Sequence, residues 1–223
     1  MVDNTFSPIS VTPIQLGAHI VIHSLTKFIN GTSDCVAGSV CSTHELISQM
    51  MDINSGAAML LGPVLDSFRA ASILKNLHTL HIRIRKHSEN AMYMAEHLDN
   101  LGCKVFYPGL SKHQGHDLMN NMMNEGFGYG GMFAVDAGDA DTADRLMAKM
   151  QEEKVGYLAV SLGYFKTLFS SPGHSTSSEI PEEERQTMGL SEGLVRISIG
   201  LDNNIAETFG RMKKCFQDIG LCK

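Results

Sequence analysis

Long apolar runs are absent from this chain. No stretch reaches the roughly 18 residues that a membrane-crossing helix needs, which excludes a membrane-spanning helix. The N-terminus carries neither the basic start nor the apolar core of a secretory signal. Cysteine is sparse and unpatterned: Cys35, Cys41, Cys103, Cys215 and Cys222 are dispersed, odd in number and without metal-ligand spacing. Basic residues form no cluster. The 18 Lys and Arg are scattered among 24 Asp and Glu, which argues against nucleic acid as a partner. No internal repeat or low-complexity tract occurs. These absences lead to the expectation of a cytoplasmic protein with reduced thiols, with neither a nucleic-acid nor a membrane partner.

The 223 residues are 43% hydrophobic, enough to bury a core and fill one large or two small domains. Net charge is −6. Residues 1–6 read as the end of a strand, and Ile14 to Gly17 as a turn closed by glycine. His19 to His23 is a short β-branched run, expected in a parallel sheet. Ala37 to Cys41 reads as another strand, and Gly62-Pro63 as the start of a helical region. A second helix is predicted from about His87 to Leu101, ended by Gly102. Beyond it, Lys104–Tyr107, Met132–Ala137 and Leu194–Gly200 read as strands. Asp139 or Asp141 can cap a helix with Leu146, Met147 and Met150 on one face. Asp202 or Asn203 can cap a last helix ending near Gly220. The polar segment Ser170 to Arg185, broken by Pro172 and Pro181, reads as a long surface loop. The Met-rich pattern reads as core filling. The pairs His78/His81 and His113/His116 lack a completing ligand and read as surface or capping residues.

Ser24-Leu25-Thr26-Lys27 closes the apolar run His19–His23. A lysine just past a buried strand is costly unless its amine is neutralised or covalently used, and two nearby hydroxyls suit a phosphate. The combination suits a lysine that forms a Schiff base with pyridoxal phosphate, although the spacing by itself favours an exposed strand-end lysine with capping hydroxyls. Asp3, ahead of Asn4 and Thr5, is locally a turn-forming residue. In the Leu194–Gly200 strand, Arg196 and Ser198 share one face. There the guanidinium can hold a carboxylate bidentately or pair with Glu182, Glu183 or Glu184.

Order along the chain adds to these readings. VDNTF at residues 2–6, LGAH at 16–19, IVIHSLTKF at 20–28 and NGTSD at 30–34 follow one another. That order resembles the Cys/Met-metabolism family of pyridoxal-phosphate enzymes, whose pattern reads VDNT, an aromatic residue, LGAD, an apolar strand, S-x-T-K and a Gly-rich turn. Residues 189–202, GLSEGLVRISIGLD, are similar to the family's GISDGLVRLSVGLED.

The resemblance implies an α/β fold of the aspartate-aminotransferase-like (type I) class. Residues 1–75 would end the large cofactor-binding domain, and residues 76–223 would form the α+β C-terminal domain. It implies pyridoxal 5'-phosphate as cofactor, with Lys27 binding it and then moving protons. Asp3 would face the pyridine nitrogen, and Ser24 and Thr26 the phosphate. Arg196 would grip the substrate carboxylate. Val160-Ser161-Leu162-Gly163 matches the family's x-S-L-G stretch beside the substrate, where cystathionine-using members tend to carry Glu and methionine γ-lyases Val. The reaction implied is α,γ-elimination of methionine to 2-oxobutanoate, ammonia and methanethiol. Cystathionine γ-lyase, cystathionine γ-synthase and O-acetylhomoserine sulfhydrylase use the same residues.

Departures from the family pattern are Thr32-Ser33 after Gly31, where the family usually has His, and Lys75-Asn76, where it has Arg-Gly. The Asp3-to-Lys27 interval is also one residue short. Family members are nearly twice this length and assemble as dimers of dimers. Their cofactor-stacking Tyr, phosphate-binding turn and cross-dimer Tyr/Arg pair lie upstream of the segment matched here. The chain therefore reads as partial, and a competing expectation follows. It would be a fragment that binds no cofactor alone and serves as an assembly partner of the missing N-terminal half.

Overall fold

The structure is a computed structural model that describes residues 1–173, 180–181, 184 and 191–222. Two sheets lie on either side of a helical stretch. The first has strands β1 (Val2–Asp3), β2 (Val21–Ser24) and β3 (Gly38–Cys41) in that order. β1 runs parallel to β2 with Asp3 opposite Ile22, whereas β3 returns antiparallel with Gly38 opposite Ser24. The sheet is therefore mixed rather than purely parallel, because the chain after Lys27 loops back directly beside β2.

Helices α1 (His44–Met50), α2 (Ala57–Leu61), α3 (Ser67–Leu77) and α4 (Leu80–Asn100) follow. The expected helix start at Gly62-Pro63 is instead a stop. Gly62, at φ 64°, closes α2, and the Asp66 carboxylate caps α3 by accepting from Phe68 N and Arg69 N. α4 begins at Leu80, ahead of the expected His87, because Leu80 and Ile84 extend its buried face. Gly102, at φ 83°, follows its end as predicted.

The second sheet has the order β4-β5-β8-β7-β6, with β4 (Lys104–Phe106), β5 (Met132–Asp136), β6 (Tyr157–Leu158), β7 (Leu168–Ser170) and β8 (Leu194–Ser198). α4, α6 (Ala140–Glu152) and α7 (Ile205–Asp218) pack together with it, and the short α5 (His116–Met122) lies in the β4–β5 connection. Met94, Leu98, Phe133, Leu146, Met150, Ile197, Met212 and Phe216 fill the shared core. Each buried side chain of this size contributes about 1.5–3 kcal/mol of transfer free energy. Asp139 caps α6 as predicted, accepting from Thr142 N at 2.8 Å. α7 is capped by Asn204 rather than Asp202 or Asn203. The Asp202 carboxylate instead accepts from the Thr208 hydroxyl at 3.1 Å.

The segment expected as a surface loop from Ser170 starts differently. Ser170 closes β7, and Ser170 and Ser171 are buried. Residues 174–179, 182–183 and 185 of that segment lie outside the described residues. Among the described residues no helix is long and apolar enough to cross a membrane.

His87 in α4 is fully buried, and burial pushes its pKa from 6.5 down to about 4. Between those values the unfolded chain binds a proton that the folded chain refuses. Stability is therefore complete above 6.5 and falls by roughly 3 kcal/mol as pH drops to about 4. Urea unfolding across that window is expected to show the decline in the native protein and a flatter profile in His87→Asn.

Candidate active site

β2 ends at Ser24, and the chain winds through one π-helical turn, Leu25–Ile29. Within it Lys27 leaves helical geometry, at φ −88° and ψ −128°. Phe28 and Ile29 are drawn into a core cluster with Cys35, Ile73, Leu80, Ile84 and Leu162, while Lys27 remains half-buried. The Arg83 guanidinium secures the turn, donating to Phe28 O at 2.5 Å and Ile29 O at 2.8 Å. Gly31 closes it at φ 76°, and a Cβ there would meet the Arg83 guanidinium at 2.5 Å. Only glycine satisfies both conditions.

Lys27 Nζ donates to Ser161 Oγ at 3.0 Å. Arg196, from the middle of β8, reaches the same residue and donates to Ser161 O at 3.4 Å. Gly163 N donates to Ser198 Oγ at 2.9 Å, which ties the Ser161–Gly163 turn to the Arg196 strand. Three distant parts of the sequence thus converge on one point. Burial lowers the Lys27 pKa below the ordinary lysine value, and the nearby Arg196 charge lowers it further. Burial also lowers that of Arg196. The exposed strand-end reading of Lys27 fails. Among the described residues Arg196 has no carboxylate partner, while Glu182 and Glu183 lie outside them.

Gly163 makes the convergence possible. It sits at φ 73°, and a Cβ would fall 2.4 Å from Phe28 N. Gly163→Ala is expected to lose about 2–4 kcal/mol, from overpacking against backbone plus a strained φ. Denaturant unfolding measures it.

Asp3, on β1, accepts from Thr5 N at 3.0 Å. Hydrogen bonds from the Thr5 hydroxyl and amide lower its pKa, with His23 adding a smaller electrostatic effect, so the carboxylate is ionised at neutral pH. Thr5 Oγ1 also accepts from Ser24 N at 2.8 Å, holding the end of β2 beside β1. Thr26 Oγ1 accepts from Ala37 N at 3.0 Å and lies 3.3 Å from Ala37 O. Its proton can therefore turn from that carbonyl to an incoming phosphate oxygen. No hydrogen bond joins Asp3 to Lys27 among the described residues. Val160 is 57% exposed.

The departures from the family pattern meet each other. Asn76 Nδ2 donates to Asn30 Oδ1 at 2.8 Å and lies 3.4 Å from Thr32 Oγ1. The substitutions near the lysine turn are thus accommodated on its outer side by a side-chain contact.

Residues 1–209 match the family described as Cys/Met metabolism PLP-dependent enzyme. This chain belongs to that family. It is 42% identical over 217 residues to a protein of Arabidopsis thaliana named methionine gamma-lyase, covering 97% of this chain and 49% of the relative. A Bacillus subtilis protein named cystathionine gamma-lyase is 35% identical over 207 residues, covering 91% and 52%. Among solved structures, a cystathionine gamma synthase from Xanthomonas oryzae pv. oryzae, in complex with aminoacrylate and cysteine, superposes with a TM-score of 0.82. It shares 34% identity and covers 96% of this chain and 56% of that one. The chain spans about half the length of the curated relatives it matches. The type I α/β fold expected from the motifs is thereby shown, and the family is pyridoxal-phosphate dependent.

Sequence reasoning passed over Arg83, which holds the lysine turn, and gave no role to Thr5 and Ser198, which hold Asp3 and the Ser161–Gly163 turn. Thr5 and Ser198 stood inside quoted motifs. Arg83 gave no local signal, since its work is to reach backbone carbonyls far away in sequence.

Proposed function

We propose that this chain carries the lysine-bearing part of a pyridoxal-phosphate-dependent carbon–sulfur lyase whose substrate is methionine, released as 2-oxobutanoate, ammonia and methanethiol. The observation that carries it is the meeting of Lys27 Nζ, Ser161 and Arg196 at hydrogen-bond range.

The donor set fits the cofactor. Lys27 would bind its aldehyde carbon, Asp3 its ring nitrogen, and Ser24 and Thr26 its phosphate. Pyridoxal phosphate, when bound, supplies the electron sink for negative charge at the substrate α-carbon. A lowered pKa gives Lys27 a larger fraction of free amine at neutral pH, the form needed to attack and to take a proton at Nζ. Ser161 Oγ accepts from that amine and so fixes its direction. An ionised Asp3 favours a proton on the facing ring nitrogen. The Arg196 guanidinium offers paired donors for the substrate carboxylate.

Methionine is favoured over cystathionine by Val160, which offers a distal ammonium no partner, and by the A. thaliana relative's name. Assays with both substrates on the cofactor-loaded protein test this reading. Methanethiol from methionine at higher kcat/KM supports it, and preferential cleavage of cystathionine overturns the substrate choice.

A second observation favours assembly. Val36, Leu61, Val64 and Phe68 are 82–90% exposed, and a groove of about 690 Å³ is lined by Ile22, Val40, Ile47, Met51, Val64 and Leu65. Apolar exposure of this kind marks a surface that another polypeptide covers. We take it as the contact for a homo-oligomer, a dimer of dimers, or for a segment supplying the family's remaining half. In that arrangement residues 1–75 belong to the cofactor side and residues 76–223 to the smaller domain.

A further inference from the structure

One face of α4 reaches both halves of the site. Arg83 donates to the carbonyls of Phe28 and Ile29, the two residues after Lys27. At the next turn, His87 Nδ1 lies 2.7 Å from Ile199 O, three residues after Arg196 on the same chain segment. Asn90 then donates from Nδ2 to Gly200 O at 2.9 Å and Asp202 O at 3.1 Å. These positions, spaced by four and three, share one stripe of the helix. His87 also touches the lysine turn directly. Its ring meets the Phe28 ring edge-on with centroids 5.2 Å apart. Both His87 and Asn90 are buried to 1% exposure or less, where an alternative partner in water is unavailable to them.

We infer that the Arg83–His87–Asn90 stripe is a positioning element, with His87 at its centre, that sets Lys27 against Arg196. The inference deepens the proposed function and rests on it for its catalytic meaning. The geometry explains why a histidine serves. A carbonyl oxygen only accepts, so the hydrogen-bond network assigns the proton to Nδ1 of the neutral ring. The ring faces are left to pack on Phe28. A phenylalanine would keep the packing and lose the bond to Ile199 O, just past the end of β8. An asparagine would keep a donor near the Nδ1 position and lose the ring. Gly131 permits the close approach of this helix to the sheet, since a Cβ there would lie 2.8 Å from His87 Cβ. Its carbonyl accepts from Ile199 N at 3.0 Å.

The test reads Lys27 directly and needs neither cofactor nor substrate. Competitive reductive methylation of the native chain with formaldehyde and cyanoborohydride across a pH series, read by peptide mass mapping, gives the midpoint at which Lys27 becomes reactive. The charged and polar groups facing that amine are Arg196 and Ser161. His87→Phe is expected to raise the midpoint by about half a unit or more toward the ordinary lysine value, as Arg196 drifts away and the amine is rehydrated. His87→Asn is expected to stay within a few tenths of the native value. An unchanged midpoint in folded His87→Phe would overturn the inference, because a purely structural residue would lower the melting temperature without moving it. Should His87→Phe not fold, Asn90→Ser, which removes two bonds to the same strand end, takes its place with the same expected rise. Failure of the chain to capture cofactor would sink the proposed function and leave this midpoint measurement standing.

Discussion

Lys27→Ala is expected to abolish covalent capture of pyridoxal phosphate and to lower turnover by at least about a thousandfold, the scale on which loss of a covalent catalytic group is felt. The fold should survive. Lys27 is half-buried, and among the described residues its side chain donates one hydrogen bond, to Ser161 Oγ. The direction of the stability change follows from its environment. Burial and Arg196 both disfavour the charged amine in the folded chain. Its folded pKa lies below 10.5, and native stability rises as pH climbs through the window between them, where the unfolded chain holds the extra proton. At neutral pH the native chain carries a small penalty that Lys27→Ala removes. The variant should therefore unfold at equal or slightly higher denaturant, a stability gain bought with function. Chemical unfolding combined with turnover assays checks both halves. A variant that loses activity by unfolding would leave the catalytic role of Lys27 unsupported.

Arg196→Ala is expected to lower kcat/KM by about a hundredfold or more, chiefly through KM, because an anchored substrate carboxylate loses its paired donors. Arg196→Lys should recover little of this, since an ammonium cannot reproduce the planar fork. Two further readouts separate substrate anchoring from general damage. Cofactor capture at Lys27 should persist in the alanine variant, as none of the proposed cofactor contacts involves Arg196. The reactive midpoint of Lys27 should rise, because one of the two influences holding it down has gone. Equal loss of kcat and kcat/KM, with the Lys27 midpoint unchanged, would contradict the assignment.

The type I fold class was legible in the order of the motifs, and so was the set of residues proposed for the site. Lys27, Asp3 and Arg196 stood in short segments whose order is itself informative, and the structure brings Lys27, Ser161 and Arg196 together across distant parts of the chain. Spacing could not show how the hydroxyls are spent. Thr26 is engaged by Ala37, and that contact exists only because β3 returns beside β2. Val160 has a proposed part in specificity only through the family's x-S-L-G pattern, and its side chain is 57% exposed. In the fold, strongly periodic helices such as Ala140–Glu152 were visible because burial follows the period. The helices His44–Met50 and Ala57–Leu61 were not, since neither buries a residue and so neither carries the apolar stripe that reports a helix. β7 was concealed at Ser170, where a polar residue ends a buried strand. His87 was read as a helix start because a buried histidine that bonds a remote carbonyl looks, in sequence, like a surface one.

The central proposal is that Lys27 holds the cofactor. Incubation of the purified chain with pyridoxal phosphate, borohydride reduction and peptide mass mapping tests that claim most directly. A phosphopyridoxyl adduct on Lys27 alone is the predicted result. An adduct spread over surface lysines, or none, would contradict it.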